Sequence, residues 1–139
     1  MAQYEHLPLF KSAYDFDLYF VKLSRRFPKD FKYGIAAQIR ELILEVIDNI
    51  ILANNNTDKI KYLDNTLLTI ERMKVKVRLL KDLEVIQTSS YKFIFESLIN
   101  ISKQTNAWKS WSDKSGKKNL FTSQAHLKQI WPEKGISQS

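Results

Sequence analysis

Apolar residues recur along most of the chain at spacings of three and four, the period of a helix face rather than the alternation of a half-buried strand. The broadest pattern lies over about 31–53. There Ile35, Ile39, Leu42, Val46, Ile50 and Ala53 make one stripe, which Ala36, Ile43 and Ile47 widen. Gln38, Glu41, Glu45 and Asp48 form a narrow acidic line beside it. An arc that wide is more than one packed neighbour needs. Ahead of it, Phe10, Ala13, Tyr14, Leu18, Phe20 and Val21 predict a first helix over about 8–26. Pro8 suits its first turn, where the missing N–H has no partner to lose. Residues 1–7 read as a frayed end. Phe27-Pro28 stops the helix, because a residue before proline is pushed out of the helical region. Asp30 is then the expected N-cap of the second helix.

Asn54-Asn55-Asn56-Thr57 ends that helix, and Asn56 or Thr57 is expected to cap a third over about 58–83. Within the third, Arg72, Lys74, Lys76, Arg78 and Lys81 are interleaved with Val75, Val77, Leu79 and Leu80, as in a strand. The stripe Ile60, Leu63, Leu67, Ile70, Met73, Val77 and Leu80 runs through without Gly or Pro, so helix is the stronger reading. At about 100° per residue, Lys74, Arg78 and Lys81 share one side, and Arg72 and Lys76 another. A shorter second stripe, Leu68, Val75 and Leu79, lies nearly opposite the first and points to self-association. Thr88 or Ser89 is expected to cap a fourth helix over about 89–109, with Tyr91, Ile94, Leu98, Ile101 and Trp108 at near-heptad positions. From there Ser, Lys, Gln and Gly dominate, and 111–139 reads as a basic, disordered tail. The expected fold is all-α: an antiparallel up-down-up-down four-helix bundle over 1–110 with a flexible C-terminal tail.

Composition agrees with long helices, since the 139 residues include only 3 Gly and 3 Pro. The net charge of +7 favours a polyanionic partner. Five lysines in the tail stand against Asp113 and Glu133, so most of the surplus stays on the bundle. More basic residues gather at the end of the first helix and its corner: Lys22, Arg25, Arg26, Lys29 and Lys32. Without Cys there is no disulfide framework. No apolar run reaches the ~18 residues that a membrane helix needs, and the start lacks a signal-peptide pattern. No membrane partner and a cytoplasmic location are the expectations.

Motifs for catalysis are missing. His6 and His126 stand near opposite ends, and no Glu-x-x-His pair offers a bundle metal site. The glycines at 34, 116 and 135 are isolated, so no phosphate loop forms. The expectation is a protein that is not an enzyme and needs no cofactor or metal. The basic field, Arg25, Arg26, Arg72, Lys74, Lys76, Arg78 and Lys81, has little aromatic interleaving and suits phosphate contact rather than base reading. Most aromatics fall at core spacing, apart from Trp111 and, in the tail, Phe121 and Trp131. The blander reading is a solvated helix surface paired to Glu71 and Asp82, or a face that docks an acidic protein.

Several stretches, in order, carry a family likeness. They are Leu7-Pro8-Leu9-Phe10, then Arg26 through Ile35 with Ile39-Arg40-Glu41, then Ala53-Asn54. Leu63, Ile70 through Lys74, Val77 through Leu83, and Tyr91 follow. From Leu7 to Lys109 the chain resembles the four-helix-bundle family of Avd, the accessory variability determinant of diversity-generating retroelements. That family also includes proteins encoded in intervening sequences of bacterial 23S ribosomal RNA genes. The resemblance implies a homopentameric, barrel-like assembly with a basic surface that binds RNA, DNA or their hybrid. In retroelement members it further implies binding to the cognate reverse transcriptase and a role in mutagenic copying of template RNA into complementary DNA. Two departures stand out: Asn106-Ala107 before Trp108, where the family often has a small or Gly pair, and the long segment after Trp111.

Overall fold

A computed structural model describes residues 3–121, and among these the regular elements are all helical. A 3-10 helix, Gln3–His6, precedes α1 (Pro8–Ser24). One short turn, α2 (Lys29–Lys32), leads into α3 (Ile35–Asn55), and α4 (Ile60–Asp82) and α5 (Thr88–Phe121) follow. α3 packs against α1 and α4, and α5 packs against α4 and α1, so the four long helices close a ring around one core. Ile39, Ile43 and Ile50 of α3, Leu63, Ile70 and Met73 of α4, and Ile94 and Leu98 of α5 fill it.

Residues 3–7 are tied down rather than frayed. Leu7 is buried, its amide donates to the Tyr4 carbonyl, and the Tyr4 ring lies 5.0 Å from that of Phe10. α1 is also turned from the expected face. Leu9, Ala13, Phe16 and Phe20 look inward, whereas Tyr14 and Leu18 stay exposed. On α4, Thr66 and Thr69 are buried beside the expected stripe, each hydroxyl donating to the carbonyl four residues back. Thr69 Oγ1 and Asn65 Nδ2 also lie 2.9 and 3.1 Å from the Glu45 carboxylate. Part of the acidic line on α3 is therefore an interhelical tie.

The helix ends depart most from expectation. Asp30 lies inside α2 and caps nothing, and Gly34 precedes α3, its carbonyl accepting from the Gln38 amide. A Cβ at Gly34 would stand 2.6 Å from the Asp30 carbonyl oxygen, so the corner closes only around a glycine. Neither Asn56 nor Thr57 caps α4, and the Asn56 side chain instead donates back to the Leu52 carbonyl. Thr88 begins α5 itself, with Gln87 supplying the first helical carbonyl to Tyr91. α4 ends where Glu84 and Val85 amides donate to the Lys81 and Leu80 carbonyls, a turn that sets Glu84 at a positive φ of 62°. α5 runs on through 110 to Phe121, correcting the expected end of the last helix near 109; the rest of the expected tail, 122–139, lies outside the described residues.

Candidate nucleic-acid interface

Arg25 and Arg26 follow the last turn of α1, and both are exposed. α4 splits the five basic residues of its second half between two sides. Lys74 and Lys81 are half-buried and lean over aromatic rings of α5, Lys74 5.7 Å from Phe95 and Lys81 5.2 Å from Tyr91. Lys74 also pairs with Glu71 at 2.8 Å. Arg78 is exposed, its Nε 3.6 Å from Asp82. The exposed Arg78 pair is weak and leaves that cation open to competing anions. Arg72 is exposed and Lys76 half-buried on the other side. Among the described residues no carboxylate lies within ion-pair distance of Arg25, Arg26, Arg72 or Lys76.

Contacts across the bundle bring Arg25 and Arg26 to the same end as Arg78 and Lys81, while Arg72 stands about midway along α4. Lys81 covers Tyr91 in the first turn of α5, and two residues on, the Phe93 ring lies 4.7 Å from Tyr19 of α1. Arg25 and Arg26 follow less than two turns further along α1. Lys29 and Lys32 of α2 extend the same end. The field is therefore a property of the tertiary fold, because α1 and α4 are not in direct sequence.

Two aromatic side chains depart from the sequence reading. Tyr33 is 70% exposed, with Lys32 Nζ 5.7 Å from its ring centre. It stands at the basic corner, so aromatic surface is interleaved with the charge after all. Read inside a second helix over 31–53, it gives no sign of its exposure in the sequence. Trp111, expected to stand apart from the core, is half-buried against it.

A groove of about 200 Å³ between α1 and α5 is lined by Ser12, Asp15, Phe16, Tyr19, Phe93, Ser97 and Asn100. Its one carboxylate, Asp15, is paired with Lys11 at 3.0 Å. Asp17 on α1 has its carboxyl pushed up from the ordinary 3.8 by burial, an effect the nearby Arg40 charge opposes. Among the described residues, no three His, Asp or Glu side chains converge as a metal ion would require. None of the described helices is long and apolar enough to cross a membrane. A family model described as bAvd-like matches residues 9–111. None of the curated proteins matches the chain.

Proposed function

Because the chain belongs to the bAvd-like family, we propose that it is a non-catalytic, nucleic-acid-binding accessory of a diversity-generating retroelement. In that role it assists the reverse transcriptase in mutagenic copying of template RNA to complementary DNA. The observation that carries the reading is the basic field itself. Arg25 and Arg26 after α1, and Arg72 and Arg78 on α4, are exposed cations on a fold that closes around an apolar core. Phosphates would meet arginines first, with Lys74, Lys76 and Lys81 behind them as half-buried support.

The helix order that suits this role is antiparallel, up-down-up-down. Glu45 meeting Asn65 and Thr69 while Ala53 meets Lys59, and Lys81 meeting Tyr91 while Asp64 meets Lys109, support that order. Assembly into a homopentamer is part of the proposal. Its support is apolar surface left on two different faces: Leu68, Val75 and Leu79 on α4, and Tyr14 and Leu18 of α1 with Leu44 of α3. Two unlike patches suit a head-to-tail contact, which closes rings, better than a two-fold one. Residues 111–139 carry five further lysines that would add to the attraction for a polyanion.

A salt titration tests the reading. With RNA, DNA and hybrid duplex as ligands, log K should fall by about 0.7–0.9 per phosphate contact for each unit of log salt. Replacing Arg25 and Arg72 together with Gln should weaken binding and flatten that slope. No affinity for any of the three at low salt would overturn the proposal and leave docking to an acidic protein as the use of the basic face.

A further inference from the structure

Tyr33 is an expensive residue to display. Its ring presents apolar area to water at one of the most exposed positions among the large side chains, and no other ring packs on it among the described residues. The other exposed aromatics are engaged: Phe93 lies against Tyr19 and Tyr14 against Phe10. The backbone under Tyr33 is held firmly. The Pro28 carbonyl accepts from both Phe31 and Lys32 amides, the Lys29 carbonyl accepts from Tyr33 itself at 3.0 Å, and Phe31 packs against the core. Gly34 lets the next residues turn tightly past the Asp30 carbonyl into α3. The ring is thus positioned by the backbone beneath it, with the Lys32 ammonium over it.

Around it stand cations. Lys32 Nζ is 5.7 Å from the ring centre, and Arg25, Arg26 and Lys29 are exposed in the same corner. An ammonium and an aromatic face at that separation match the two parts of one nucleotide, phosphate and base. We propose that Tyr33 is a stacking platform for an unpaired base, so that this corner takes single-stranded nucleic acid in preference to intact duplex. A base within a duplex keeps its faces covered by its neighbours and reaches a protein ring only after it is unstacked. An unpaired base has a free face, and stacking on an aromatic ring is tolerant of sequence. This rests on the nucleic-acid reading above and adds to it a strand preference that phosphate contacts alone do not create.

The test uses the full chain, a fluorescently labelled single-stranded RNA, and the same sequence annealed to its complement as a blunt duplex. Tyr33→Ala should weaken single-strand binding by roughly fivefold to a hundredfold, leave duplex binding unchanged, and keep the salt slope, since no phosphate contact is lost. Tyr33→Phe should retain the wild-type single-strand affinity, because stacking needs the ring and not the hydroxyl. Circular dichroism and light scattering on each variant report fold and assembly. Equal losses on both ligands, no loss on either, or a change in oligomer size with Tyr33→Ala would overturn the stacking assignment. If the wild type binds neither ligand at low salt, the broader nucleic-acid reading falls with it. If it binds both and Tyr33→Ala binds alike, only the platform is removed.

Discussion

At position 34 a side chain has nowhere to go. The nearest obstacle to a Cβ is the backbone oxygen of Asp30 at 2.6 Å, which cannot swing aside as a flexible side chain could. Gly34→Ala should therefore shift the whole corner and destabilise the protein by about 1–3 kcal/mol, the range for overpacked sites. Urea unfolding would measure it, and a midpoint equal to the wild type's would show that the corner yields freely. The sequence reading puts Gly34 inside the second helix with Asp30 as its cap, because local rules favour an Asx oxygen there. What they omit is that the chain makes an extra turn, α2, before α3 can start. Tyr33 was illegible for a related reason. Aromatics are assigned inward by default, and its exposure follows from how that turn is oriented.

The ends of elements hold a second device that no periodicity reveals. Lys59 is only 7% exposed, and its ammonium donates to the Ala53 and Asn56 carbonyls at 2.7 Å each, with the Trp108 ring 5.9 Å away. A positive charge there satisfies carbonyls left open at the end of α3 and complements its dipole. Lys59→Met keeps the apolar stem and removes the donor. Unsatisfied carbonyls should then cost about 1–3 kcal/mol, read as a lower thermal midpoint with helicity retained. An unchanged midpoint would mean that water replaces the ammonium. Charged residues are placed outside by any sequence rule, so this one could not be found without the partner carbonyls. Thr66 and Thr69 escaped for the same kind of reason. Hydroxyls satisfied by their own helix pack as small apolar groups, and Thr69 gains Glu45 as well. By contrast, Leu63, Ile70, Met73, Val77 and Leu80 are buried as their spacing predicts.

Across the whole molecule the open question is what covers the outer apolar faces. Val75 is 70% exposed at the middle of the outer stripe of α4. A charge there should change the stability of an isolated subunit by no more than about 0.5 kcal/mol, the usual scale for surface substitutions. Val75→Glu or Leu79→Glu should therefore give a helical but smaller species by light scattering, and Leu44→Glu on the other patch should do the same. A wild type that is monomeric at working concentrations would remove the assembly from the proposal. The sequence by itself determined that the bundle is helical, where most of the core-facing stripes of α3, α4 and α5 lie, and that α4 is both basic and apolar on its outer side. These follow from spacing, because residues at helical period share a face whatever surrounds them. Only the tertiary structure decided which arc of α1 turns inward, that Lys59 is buried, and that Arg25 and Arg26 share an end with Arg78 and Lys81. Those depend on the neighbour each helix meets, and a period along one helix carries no information about the neighbour across the ring.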